Sequence, residues 1–143
     1  MTTALLMIAE GSEEMEAVIT ADLLARAGFE LTMASVTGRQ VTCSRGVKLV
    51  ADVDLGEVVS QEFDVVILPG GMPGAQHFAD DANLVNKIKA QQEKGGWIAA
   101  ICASPAVVLA NHQLLGDQKA TCYPGFEAPI QNFVERPVVV DGK

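Results

Sequence analysis

Trp97-Ile98-Ala99-Ala100-Ile101-Cys102-Ala103-Ser104-Pro105 runs an apolar strand straight into a helix start, with a cysteine at the corner. Strand, tight corner and helix make up the unit of a parallel α/β sheet, and a nucleophile elbow puts its reactive side chain at that corner. Ser104 suits the N-cap and Pro105 the first helical turn, where a missing N–H costs nothing. Cys102 is therefore expected beside unpaired backbone donors and the positive end of a helix dipole, which favour thiolate over thiol and lower the pKa. The competing reading is a small buried structural cysteine, the commoner fate of a lone Cys after an apolar run.

Outward from this corner the same alternation repeats. Ala4 to Ala9 reads as a buried strand, and the helix after it, over 13–27, has Ser12 as N-cap, Glu13 and Glu14 on its surface, and Met15, Val18, Ile19 and Leu23 on one helical face. Leu31 to Val36 is a second strand, and 37–54 a turn followed by a small hairpin or edge element. A third strand spans 64–68, a helix spans 81–94 with Leu84, Val85 and Ile88 inward, and the opening segment supplies the fourth strand. A last helix runs from Pro105 to about Asn111, and Pro137 to Val140 reads as a final covered strand before the hairpin signal Asp141-Gly142. The pattern predicts an α/β fold: a doubly wound, mostly parallel sheet with helices on both faces.

Composition narrows the function classes. With 143 residues and 49% hydrophobic content, the chain is one globular domain, 1–143, long enough for a core. A net charge of -8 without a basic cluster argues against nucleic-acid and membrane-surface partners. Cys43, Cys102 and Cys122 show no C-x-x-C spacing and, with two histidines, no zinc-ligand pattern, so neither a metal nor a disulfide framework is expected and a reducing cytoplasm is the expected home.

In a doubly wound sheet, function belongs at the carboxyl ends of the strands. Three loops fall there: Glu10 to Glu16, Pro69 to Gly74, and Cys102 to Pro105. Gly70 and Gly71 permit close backbone approach, so the N–H of Gly71, with that of Ala103, suits an oxyanion hole; a plain tight turn is the alternative. Phosphate-loop spacings are absent. Glu16, one turn inside the first helix, is either solvated or aimed at the crevice, where burial beside Cys102 would raise its pKa.

Gly11-Ser12-Glu13-Glu14-Met15-Glu16, Cys43-Ser44-Arg45-Gly46, Leu68-Pro69-Gly70-Gly71 and Ala99 through Pro105, taken together, resemble the ThiJ/PfpI superfamily, most closely its Parkinsonism-associated deglycase branch and bacterial YajL proteins. The blocks keep the family's order and cover nearly the whole chain. The resemblance implies a flavodoxin-like, class I glutamine amidotransferase-like fold, a reactive Cys102, a Glu16 carboxyl bonded to it, and Gly71 and Ala103 as backbone donors. It also implies a pocket including Gly70, Ser104, Arg26, Arg45 and Tyr123, with Arg45 near a dimer interface. Tyr123 stands where hydrolase-like members often carry histidine, and His77 and His112 read as solvated or capping. Related chains continue beyond Lys143 through another strand and helices, so the resemblance implies a sheet lacking a member. An exposed apolar patch of more than roughly 400 Å² follows, to be covered by a partner chain or further residues.

Two function classes follow from these residues. One is a cofactor-independent enzyme acting on reactive dicarbonyls or their adducts, of the glyoxalase or protein deglycase type, whose partner is a small aldehyde or a glycated protein. The other is a redox sensor or chaperone in which Cys102 oxidises to sulfinate. The peptidase branch typically has histidine directly after the cysteine, a place held here by Ala103.

Overall fold

The computed structural model describes residues 1–143. Along the chain come β1 (Thr3–Ile8), α1 (Glu14–Arg26), β2 (Glu30–Ser35), β3 (Gln40–Thr42), β4 (Lys48–Val50), β5 (Val53–Asp54), α2 (Leu55–Val58), β6 (Val65–Leu68), α3 (Gly74–Asp80), α4 (Ala82–Glu93) and β7 (Trp97–Ala100), followed by a π-helical segment, Pro105–Ala110. Five strands form a parallel sheet ordered β5-β2-β1-β6-β7, and β3 and β4 stand apart as an antiparallel hairpin. The chain runs outward from β1 in both directions, the doubly wound, flavodoxin-like arrangement.

Alternation along β1 explains the two covered faces. Leu5, Met7 and Ala9 join Phe78, Leu84, Ile88 and Val108 in the larger core, beneath α2, α3, α4 and the π-helical segment. Ala4 and Leu6 point the other way, with Ile67, against Ala21 and Leu24 of α1. Each such Leu, Ile or Phe taken out of water contributes about 1.5–3 kcal/mol.

α1 departs from its sequence reading at two points. Glu13, not Ser12, is the N-cap, its carboxylate accepting the Glu16 N–H at 2.9 Å. Ser12 is fully buried and its Oγ accepts the Ala9 N–H at 2.9 Å, so it closes the turn after β1 instead. The stripe of Met15, Val18, Ile19 and Leu23 faces outward, Met15 being 65% and Leu23 60% exposed. The opposite stripe, Ala17, Ala21 and Leu24, meets the sheet, because small side chains let the helix lie close to it.

The far edge differs as well. On β7, Ile98 and Ala100 pack toward the larger core, while Trp97 and Ile101 are half exposed. With Leu24, Phe29 and Val65 they line an open apolar groove of about 480 Å³ on the α1 side of the sheet. The expected strand over 137–140 does not form: Val138 and Val140 are exposed, and no strand lies beside them. The chain is held after it instead, the Asp141 carboxylate accepting the Lys119 N–H at 2.7 Å and the Lys143 carbonyl accepting the Ile98 N–H at 2.8 Å.

Candidate active site

Parallel strands deliver the carboxyl ends of β1, β6 and β7 side by side, and glycines let the loops that follow interlock. Gly71 has φ +85°, and a Cβ on it would lie 2.6 Å from the Gly11 carbonyl oxygen. A Cβ on Gly74 would lie 2.6 Å from the Ser12 nitrogen. Only glycine admits that backbone-on-backbone contact. The Glu13 N–H donates to the Gly70 carbonyl at 2.9 Å, joining the start of α1 to the glycine loop.

Cys102 sits at the corner with φ +63°, a left-handed conformation that a non-glycine residue adopts only under constraint. The constraint comes from Ser104. Its hydroxyl donates to the Pro69 carbonyl at 2.6 Å and caps no helix, so the residue expected as an N-cap instead ties the elbow to the glycine loop. Glu16 reaches the same place from the first turn of α1, and the Gly70 N–H donates to its Oε2 at 2.7 Å. Gly70 lies between the two side chains. A Cβ there would be 2.9 Å from Cys102 Sγ and 3.0 Å from Glu16 Oε2.

Burial pushes the Cys102 thiol above its ordinary value; the Gly71 amide opposes this, the Glu16 carboxylate reinforces it, and the Ala103 amide opposes it. The depressed pKa expected from the helix start is thus corrected. Only a six-residue π-helical segment follows, and burial with Glu16 outweighs two amide donors. Glu16 is also raised, first by burial and then by the charge of Glu13, against hydrogen bonds from Gly70 and Cys102. Both groups are thus held toward their protonated forms.

The remaining residues separate. Tyr123 adjoins the elbow through its backbone, its N–H donating to the Cys102 carbonyl at 2.8 Å, while its half-exposed ring packs edge-on against Phe126. Arg45 lies on the β3–β4 turn and is exposed; its side chain reaches only the Ser44 carbonyl, at 3.5 Å. Arg26 is not brought to the site. It pairs with Asp22 at 3.0 Å in the last turn of α1, ten residues and about 15 Å of helix beyond Glu16. The Nε2 of His112 lies 2.8 Å from the Ala79 carbonyl in the last turn of α3. No grouping of three or more His, Cys, Asp or Glu side chains is placed to hold a metal ion.

Glu14 is not the surface carboxylate that its place in the first turn of α1 suggests. It is buried, accepts the Ser44 hydroxyl at 3.0 Å and the Arg45 N–H at 2.8 Å, and so fastens the β3–β4 turn to the start of α1. No sequence signal marks a contact across thirty residues.

The description of the DJ-1/PfpI family matches residues 2–143. The chain is 45% identical over 141 residues to protein DJ-1 homolog B of Arabidopsis thaliana, an alignment covering 96% of this chain and 32% of that protein. It is 37% identical over 119 residues to the glutathione-independent glyoxalase DJR-1.2 of Caenorhabditis elegans, covering 83% and 62%. The structure of oxidised Toxoplasma gondii DJ-1 superposes with a TM-score of 0.98 at 42% identity, covering 100% of this chain and 79% of that one. The chain therefore spans about a third of the plant relative's length and under two thirds of the nematode relative's.

Proposed function

The chain belongs to the DJ-1/PfpI family, and from that premise we propose that it is a cysteine-dependent, cofactor-independent enzyme for reactive dicarbonyls or their adducts, of the glyoxalase or protein deglycase type. The observation that carries this reading is the placement of Cys102 Sγ and Glu16 Oε2 together against Gly70, where the Gly71 and Ala103 amides favour the charged form of the sulfur. The glyoxalase named among the relatives supports the substrate class.

In this mechanism the Cys102 thiolate adds to an aldehyde carbon, and the carbonyl π pair moves onto oxygen. The Gly71 and Ala103 amides turn from sulfur to that oxyanion, and Glu16 supplies its proton, leaving a hemithioacetal. Glu16 then moves the proton from the former aldehyde carbon to the neighbouring carbonyl carbon. Water hydrolyses the resulting thioester to the hydroxy acid and free thiol. A glycated protein presents the same hemiacetal or aminal carbon.

Two features bear on partners and setting. The exposed stripe of Met15, Val18, Ile19 and Leu23 supports a homodimer that buries α1 against a second copy. Three free cysteines, and no helix long and apolar enough to cross a membrane, support work in a reducing cytoplasm.

A second reading uses the same atoms. Two amides and a carboxyl converging on Sγ would also stabilise the oxygens of a sulfinate, the signature of an oxidation sensor or redox-regulated chaperone. Incubating reduced protein with methylglyoxal while following lactate, alongside a peroxide titration read by intact mass, separates the two. Lactate from wild type but not from Cys102→Ser is the expected result. Sulfinate without turnover would overturn the enzyme in favour of the sensor.

A further inference from the structure

The site leaves one neighbouring thiol without a role. Cys122 is partly buried in the segment that ends at Tyr123, whose N–H donates to the Cys102 carbonyl at 2.8 Å. That bond limits how far apart the two cysteines can be. Tyr123 N is about 2.4 Å from Cys122 Cα, and the carbonyl oxygen is about 2.4 Å from Cys102 Cα, so the Cα atoms lie within about 7.6 Å even with the three vectors end to end. Any bend along that path shortens the separation toward the 4.4–6.8 Å or so that a disulfide usually spans.

Packing and charge tell the same story. Phe126 packs both on the cluster that holds Cys102 and on the cluster that holds Cys122, so one side chain bridges the two thiols' surroundings. The Cys122 sulfur makes only a weak 3.4 Å contact with the Tyr123 carbonyl and opens on a polar cleft of about 350 Å³ beside Glu127, Glu135 and Arg136. Burial, Glu127 and the charge of Cys102 all hold the Cys122 thiol above its ordinary value. Cys43 is only 4% exposed and packs with Ile8, Ala17 and Val41 in a separate cluster.

We propose that Cys122 is the resolving thiol of Cys102, closing an intramolecular disulfide after a peroxide has oxidised Cys102 to sulfenic acid. The proposal rests on the reactivity assigned to Cys102 above. In the first step the Cys102 sulfur takes the terminal oxygen of a hydroperoxide, the O–O bond breaks, and water or an alcohol leaves. In the second the Cys122 sulfur forms the S–S bond as the Cys102 S–O bond breaks, and the hydroxyl leaves as water with the Cys122 proton. Each oxidation event consumes one peroxide, and the disulfide stops Cys102 short of sulfinate.

Reduced protein is treated with about one equivalent of hydrogen peroxide, quenched with iodoacetamide, and read by intact mass and non-reducing peptide mapping. The expected product carries no iodoacetamide label on Cys102 or Cys122, is about 2 Da lighter than the unalkylated reduced protein apart from any label on Cys43, and yields a peptide linking Cys102 to Cys122 within one chain. Cys122→Ser is expected to lose that product and to carry Cys102 to the sulfinate, about 32 Da heavier, at lower peroxide. Cys43→Ser should behave as wild type. Sulfinate on wild-type Cys102 with no linked peptide overturns the pairing while leaving Cys102 reactive. An unmodified Cys102 overturns both readings, and a link through Cys43 or between two chains overturns the pairing.

Discussion

Gly70→Ala tests the geometry of the site with a single methyl group. Gly70 does not occupy the left-handed region, so alanine brings no backbone strain and the effect is steric. The new carbon would overlap Cys102 Cβ most severely and sit 2.9 Å from Cys102 Sγ and 3.0 Å from Glu16 Oε2. Ordinary contact begins near about 3.5 Å, so Sγ and Oε2 must each retreat by about half an ångström and Cys102 Cβ by about 1 Å. Cys102 has little room to do so, because its φ of +63° is fixed by the Ser104 bond to Pro69. The glycine loop must then shift away from the elbow as Glu16 gives way, and the 2.7 Å bond from the Gly70 N–H to Glu16 is lost. Overpacking of this kind costs about 1–3 kcal/mol of stability. Displacing reacting groups by about 1 Å costs on the order of 10²-fold in rate. The assay is methylglyoxal turnover beside urea denaturation, with Gly56→Ala as control. A Cβ on Gly56 meets open space within α2, so that variant should keep its rate and gain up to about 1 kcal/mol. Turnover of Gly70→Ala within about twofold of wild type would refute the placement of the two groups against Gly70.

Glu16→Gln should abolish turnover while keeping alkylation of Cys102, since the amide still donates to sulfur but exchanges no proton; wild-type turnover would remove Glu16 as the shuttle. The same variant should move the pH profile of alkylation downward, because the Glu16 charge raises the Cys102 pKa. Glu14→Gln should flatten the acid limb of stability. Although burial opposes it, hydrogen bonds from Ser44, Arg45 and Val47 hold the Glu14 carboxyl below its ordinary value, so its contribution is present above the unfolded pKa and lost as pH falls through the folded one. Denaturation curves whose pH dependence matches wild type would contradict this. Ile19→Lys should shift the sedimentation mass from dimer to monomer, and an unchanged mass would show that α1 is not the interface.

Strand placement was legible because buried parallel strands are written as continuous apolar runs: Ala4–Ala9, 64–68 and 97–101 each landed within about a residue. Helix facing was not. α1 carries two apolar stripes, and the larger side chains pointed away from the sheet because alanines allow closer approach. α2 and α3, at four and seven residues, are too short to show a period. The Val138–Val140 run has strand composition, but a strand requires a neighbour, and composition does not say whether one is present. At the site, the corner cysteine, the paired glycines and the carboxyl one turn into α1 were readable as candidates, because each sits next to a strand end. The sign of the Cys102 shift was not, since it depends on burial and on a carboxylate 86 residues away in sequence.

That sign matters because a raised thiol need not be an inert one. Cys102 and Glu16 are both pushed toward protonation by burial, so across a range of pH the pair holds one proton. On sulfur it leaves a thiol beside a carboxylate; on oxygen it leaves a thiolate beside an acid, which is the arrangement both dicarbonyl addition and peroxide attack require. The backbone is not neutral between the two. The sulfur receives the Gly71 and Ala103 amides, the carboxylate receives the Gly70 amide, and Glu13 at the N-cap disfavours charge on Glu16. Two donors against one, together with that repulsion, narrow the gap between the two forms, but burial and the Glu16 carboxylate keep the resting proton on sulfur, so the thiolate forms as that proton passes to Glu16. The glycine loop thereby acts through amides that no side-chain motif records. Turnover of methylglyoxal and oxidation by peroxide should then rise along one shared acid limb, and separate limbs for the two reactions would show that the proton is held elsewhere.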